Sequence, residues 1–332
     1  MDFNTNLNDL SDRAKDVDPD IRFMAVSDID KMLCGHKNQL ASNSYKLKNV
    51  AILLCQLLQD SNPDVQNQAV KTFQSLGAVF NESHIHLLDV TIGTVFDMVQ
   101  KDQSTRKDNE MVMASSNYTM ALRYFIQNLN YSKQSAAEAV VSRIFPSIVN
   151  NHTQVIQSLD YIEILSDLIK YNGFALDGPR IKQALILLIN SSYKCYGILS
   201  TKSISTLSLL MSYSTTAAQA ENIVDRAFLD AGGIQSINPS LDQFQLETVR
   251  LNIMLNLSKT KNSEKFVSRF DSIFEVLKDD LFLDRFEDVE MDDEDNEIND
   301  DIAKFDELRD VSLSCIENLL SLFYKNFNNH NE

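Results

Sequence analysis

The sequence predicts an all-α fold in which helix pairs stack one upon the next. Three observations predict it. The 332 residues include only 8 Gly and 5 Pro, against average usage of about 7% and about 5%, and these are the two poorest helix residues. Apolar residues recur at helical spacing along the chain, with no run that alternates at strand period. Finally, a turn-and-helix motif is repeated: Asp18-Pro19-Asp20-Ile21-Arg22-Phe23-Met24-Ala25-Val26 aligns with Asn62-Pro63-Asp64-Val65-Gln66-Asn67-Gln68-Ala69-Val70, 44 residues later. A unit of about 40 to 44 residues is the period of HEAT and armadillo repeats, helix–turn–helix modules that bury their apolar faces only against neighbours. The expected architecture is therefore an α-α superhelix, one solenoid over residues 1–332 with roughly eight units at that period.

In each copy the Asp or Asn before Pro is a turn and N-cap, and Pro occupies the first helical turn, where its missing N–H has no helical partner. The helix of the first copy places Ile21, Met24, Ala25, Ile29 and Met32 on one stripe; that of the second places Val65, Ala69, Val70, Phe73 and Leu76 there. Between them Val50–Leu58 forms another helix through Ile52, Leu53, Leu54, Leu57 and Leu58. A weaker third copy, Asp102-Gln103-Ser104-Thr105-Arg106, follows, and two more begin at Glu247 and Glu307. Periodicity alone predicts helices over 85–99, 113–129, 136–149, 155–171, 181–199, 203–213, 217–231, 241–257 and 267–277. Gly232-Gly233 reads as a loop with a helix C-cap in the left-handed region.

Asp284–Asp301 interrupts this pattern with eleven acidic residues and one base, Arg285. It supplies −10 of the chain's net −17, so the acidity belongs to one segment rather than to the whole surface. Its centre, with Asp292, Asp293, Glu294 and Asp295, cannot pack as a core helix, and a solvated acidic loop inserted between two helices is expected. The helical pattern resumes at Ile302 and runs through Phe323, with a polar tail at 328–332.

These features exclude several function classes. A net acidic chain lacks the Lys/Arg surface that nucleic acid requires, and it disfavours anionic membranes. The longest apolar run, Ala184–Ile189, falls far short of the roughly 20 residues that span a bilayer. Met1–Leu10 is polar, without the pattern of a signal peptide. Cys34, Cys55, Cys195 and Cys315 are widely spaced on apolar faces and read as buried free thiols of an intracellular, cytoplasmic and nuclear protein. His84-Ile85-His86 and Cys34-Gly35-His36 are the candidate metal ligands, but i, i+2 histidines lie on different helix faces. No nucleophile–base pair, glycine-rich phosphate loop or metal motif is present, so neither an enzyme nor a cofactor is expected.

What remains is protein binding. Phe23, Gln66 and Asn67 sit off the main apolar stripes, and two readings are open: they face a groove, or they pack on the partner helix of their own repeat. Lys71 and Arg106 are further candidate contacts. Arg22, Arg106 and Arg250 recur at one repeat position, either as partner contacts or as a ladder that bonds neighbouring repeats. Leu319, Leu320, Leu322, Phe323, Tyr324 and Phe327 make the last helix apolar on several faces, an expected docking site for another repeat array because solenoid ends are normally polar.

A specific resemblance rests on these same residues. Leu57-Leu58-Gln59-Asp60-Ser61-Asn62-Pro63-Asp64-Val65-Gln66-Asn67-Gln68-Ala69-Val70-Lys71 resembles the second HEAT repeat of the cullin-associated, neddylation-dissociated proteins, also called the 120-kDa TATA-binding-protein-interacting proteins. Arg22-Phe23-Met24-Ala25 resembles their first repeat, and Leu246–Arg250 a later one. The acidic insert followed by Leu308–Ile316 resembles the loop and helix that interrupt the family's repeats. The resemblance implies a non-enzymatic regulator of cullin-RING ubiquitin ligases. Such a protein wraps the RING-bearing end of the unmodified cullin, blocks its neddylation, and aids exchange of substrate-receptor modules. Family members continue through many more repeats beyond the acidic insert, so exchange is expected to need a separate chain carrying the carboxy-terminal arm. The alternative is a HEAT-repeat scaffold or transport-receptor fragment that binds a basic cargo through the acidic loop.

Overall fold

The computed structural model describes residues 3–105, 116–129, 134–150, 158–194, 197–213, 216–230, 233, 236–238, 242–281 and 296–329. Among them every regular element is helical. The helices are α1 (Phe3–Arg13), α2 (Pro19–Gly35), α3 (Lys37–Ala41), α4 (Ser44–Leu57), α5 (Pro63–Val79), α6 (Thr94–Thr105), α7 (Asn117–Asn128), α8 (Gln134–Asn150), α9 (Leu159–Asn172), α10 (Gly178–Lys194), α11 (Ile198–Ser212), α12 (Ala217–Val224), α13 (Gln243–Ser258), α14 (Phe270–Leu281) and α15 (Asn296–Asn329).

The chain divides into two units, the first made of 1–151 with 159–177 and the second of 152–158 with 178–332. In the first, α2, α5, α7 and α9 pack side by side in one row. A second row lies over it, with α4 on α5, α6 on α7 and α8 on α9. In the second unit α11, α13 and α15 form the equivalent row, with α10 on α11 and α14 on α15. Each unit is thus two layers of helices with the core between them, as the repeat pattern requires.

The local reasons are those of the sequence. Asp18 accepts the Asp20 N–H at 2.9 Å, and Asn62 accepts the N–H groups of Asp64 and Val65 at 2.8 and 3.3 Å, with Pro19 and Pro63 opening their helices. Val65, Ala69, Val70, Phe73 and Leu76 are all buried. The rings of Phe73 and Phe80 meet Phe125 of α7 edge-on at 6.4 and 5.0 Å. Hydrogen bonds about one repeat apart join successive repeats further along: Asn238 donates to the Tyr193 and Lys194 carbonyls, and Asn262 to those of Met211 and Ser212.

Several expectations are corrected. Met24 is 57% exposed and Ile52 37%, so neither belongs to the buried stripe of its helix. The span 85–99 is not one helix. A 3-10 turn (Glu82–Leu87) and a π turn (Asp89–Gly93) precede α6. The span 181–199 is broken at Gly197 (φ 101°), and Ile198 and Leu199 open α11 instead. Gly197 is the left-handed glycine among the described residues, whereas Gly233 donates its N–H to Asp230 without a positive φ, and Gly232 lies outside them. Cys34 is exposed, against the expectation of burial, while Cys55 and Cys315 are buried and Cys195 lies outside the described residues. Burial pushes the Cys55 thiol up to about 12, which leaves it unreactive. The acidic centre with Asp292, Asp293, Glu294 and Asp295 lies outside the described residues. Helix α15 already begins at Asn296, inside the span read as loop, and it runs to Asn329 through the start of the expected tail.

Candidate partner-binding surface

The best-defined surface features lie where the turns before α2 and α5 meet. Arg22, on α2, reaches the next repeat: its Nε and Nη2 each bond an oxygen of Asp60 at 2.7 Å. Its Nη1 donates to the Asp16 and Val17 carbonyls at 2.8 and 3.1 Å. One guanidinium therefore closes its own turn and ties it to the following one. The hydrogen bonds from Arg22, helped by the Asn62 N–H, hold the Asp60 carboxyl below its ordinary range despite its burial. The clamp is therefore intact above ordinary carboxylate pKa values and fails only as the pH falls through that lowered value.

Gln66 stands at the position equivalent to Arg22. Its amide donates to the Asp60 carbonyl at 2.6 Å and accepts from Asn117 of α7 at 3.1 Å. Gln66 is thus engaged inside the chain. Phe23, Asn67 and Lys71 are exposed, while Arg106 lies outside the described residues. On α15, Phe323 and Tyr324 are 48% and 67% exposed, and Phe327 falls where only the backbone is described.

Arg250 packs inside the chain. It is buried, its Nε donates to the Phe228 carbonyl at 2.7 Å, and its guanidinium lies over the Phe228 ring. Arg22 is therefore a ladder residue that bonds the next repeat, whereas Arg250 bonds a carbonyl only 22 residues before it. Two ladder residues escaped the sequence reading. Arg123 on α7 bonds Asp167 and Glu163 of α9, both at 2.6 Å. Arg269 bonds both oxygens of Asp225 at 2.7 and 3.0 Å. The available signal was separation: Arg123 and Asp167 are 44 residues apart, as are Arg269 and Asp225.

The histidine pair is split by the fold. His84 is buried and His86 exposed. The Asn81 N–H donates to His84 Nδ1 at 3.2 Å, and the Asn81 side chain accepts the Ser83 N–H, which closes a capping box around the 3-10 turn. No group of three or more His, Cys, Asp or Glu among the described residues is placed to hold a metal. Burial, aided by the neighbouring His86, holds His84 below its ordinary 6.5. The folded imidazole therefore stays neutral where the unfolded one takes up a proton, and stability falls as the pH drops below about 6.5. We expect His84→Gln, which supplies the usual capping-box side chain, to reduce this acid loss. The measurement is the difference in Tm from wild type at about pH 7.5 and about pH 5.5. An equal difference at both would show that His84 does not carry it.

No helix among the described residues is long and apolar enough to cross a membrane. No family model matches the chain. Cullin-associated NEDD8-dissociated protein 1 of Candida albicans is 26% identical over 342 aligned residues, covering 95% of this chain. The protein of the same name from Drosophila melanogaster is 23% identical over 49% of it. The chain spans about a quarter (26%) of the length of the Candida relative and 12% of the Drosophila one. An engineered protein of known structure aligns with 95% of the chain at 13% identity and a TM-score of 0.24, a likeness that carries no argument. The resemblance borne by the repeat helices is thus a sequence relation to the Cullin-associated NEDD8-dissociated proteins that extends over nearly the whole chain.

Proposed function

We propose that this chain is a non-enzymatic regulator of cullin-RING ubiquitin ligases. In this reading it binds the RING-bearing end of an unmodified cullin and blocks attachment of the ubiquitin-like modifier. Together with a carboxy-terminal arm it aids exchange of substrate-receptor modules. The observation that carries the reading is the relation, over 95% of the chain, to a protein named for its association with cullins and its dissociation from NEDD8. The two-layer helical build supports it, since stacked repeats offer extended surfaces for a large partner. So do the solvent-facing side chains of Phe23, Asn67 and Lys71 on adjacent helices of one row.

The test uses the purified chain with a cullin–RING complex in its unmodified and NEDD8-modified forms. A stable complex is expected with the unmodified form alone, together with slower modification of the cullin when the chain is present in excess. No complex, or equal binding of both forms, would overturn the reading.

A further inference from the structure

We infer that the first repeat carries a preformed docking surface, formed by Val17, Phe23 and Met24 with an acidic rim, for a basic partner segment bearing an apolar anchor. The inference rests on the reading above and narrows it: the cullin–RING complex is expected to present that segment.

The motif repeat supplies an internal control. Helices α2 and α5 begin with the same capped Pro turn and lie side by side in one row. The residues of α5 equivalent to Val17, Phe23 and Met24 are Ser61, Asn67 and Gln68. Ser61 and Asn67 are exposed and Gln68 is partly so. The fold is therefore satisfied by polar side chains at these positions. In the first repeat the same positions are apolar and still face solvent, Val17 at 96%, Met24 at 57% and Phe23 at 39%. Folding does not require them, and exposed apolar side chains beside polar ones are the mark of an interaction site.

The surface is held in place before any partner arrives. Arg22 bonds the carbonyls of Asp16 and Val17 and is itself held by Asp60. Asp18 caps α2, and Asp16 accepts the Asp18 N–H at 2.9 Å. A turn fixed this way loses little freedom on binding, which favours affinity.

The rim selects the partner's charge. Asp16, Asp18 and Asp20 flank Val17 along the chain with Lys15 as the one cation among residues 15–20, and the charge of Arg22 is matched by Asp60. A Lys/Arg-bearing segment with one or two apolar side chains matches this pattern, while nucleic acid and anionic lipid would be repelled.

The experiment measures binding of the unmodified cullin–RING complex to three forms of the full chain across a salt series. The first is wild type. The second carries Val17→Ser, Phe23→Asn and Met24→Gln, the residues that the second repeat already uses at these positions. The third carries Asp16→Asn, Asp18→Asn and Asp20→Asn, which keep the capping oxygens and remove the charge. The apolar variant is expected to bind at least about tenfold more weakly. The charge variant is expected to associate more slowly and with a flatter salt dependence. It leaves Phe23 in place, so a folding defect of the apolar variant, visible in its thermal melt, does not remove the test. Wild-type binding with both variants unchanged would overturn the docking surface and leave the cullin reading standing. Failure of wild type to bind would overturn both.

Discussion

Replacing Gly77 by alanine should destabilise the first unit by about 2 kcal/mol, although alanine is the better helix residue by about 1 kcal/mol. The cause is the crossing of α5 and α7. A Cβ built on Gly77 would stand 2.6 Å from the Phe125 backbone oxygen and 3.3 Å from the Asn128 Cβ. The obstructing atom belongs to the backbone of a neighbouring helix, so no side-chain rotation relieves the clash. The helices must separate, and the edge contacts of Phe73 and Phe80 with Phe125 loosen with them. Overpacking of this kind costs about 1–3 kcal/mol before the lost ring contacts are counted. Gly35→Ala is the control, because nothing lies within 4 Å of the Cβ it would add. Thermal melts should show Gly77→Ala lowered by about 4–8 °C and Gly35→Ala within about a degree of wild type. Equal melts for the two variants would show that the α5–α7 crossing relaxes without cost.

Gly77 also marks the boundary of what the sequence discloses. The capped Pro turns at Asp18 and Asn62 were legible because their chemistry is local: a short polar side chain, a Pro and the first turn of a helix settle the geometry within five residues. The buried face of α5 was legible for a related reason, since helical spacing alone brings Val65, Ala69, Phe73 and Leu76 to one side. Periodicity fails at the edges of such a stripe. Met24 and Ile52 lie at positions that satisfy the spacing, yet only the neighbouring helices decide whether the stripe's border is covered. The span before α6 was misread as continuous helix because the capping box between Asn81 and His84 closes a 3-10 turn, a competition that an apolar count does not register. Of the candidate surface, the off-stripe positions Phe23 and Asn67 could be read from the sequence. The engagement of Gln66 by Asp60 and Asn117 could not, because it depends on how two turns and a third helix meet.

The ladder arginines follow the same logic with a larger energetic stake, and Arg123 is the one whose loss should be felt most. It is only 22% exposed, and its partners Glu163 and Asp167 are 17% and 7% exposed. Asp167 also accepts the Gln127 amide at 3.0 Å, so α7 and α9 are joined by one charged cluster. Arg123→Met keeps much of the aliphatic packing and removes the charge. Two carboxylates are then left close together in a partly dry site without their cation. Breaking a fully buried pair costs about 3–5 kcal/mol, and the partial exposure of this one reduces the expected loss to about 2–3 kcal/mol. The variant that also carries Glu163→Gln and Asp167→Asn removes the stranded charges together with the cation, and it should recover most of that loss. Chemical denaturation of the three proteins measures both steps. If Arg123→Met unfolds at the wild-type midpoint, the cluster contributes no net stability. If the triple variant is as unstable as the single one, the penalty lies in lost packing of the arginine stem against α9 rather than in uncompensated charge.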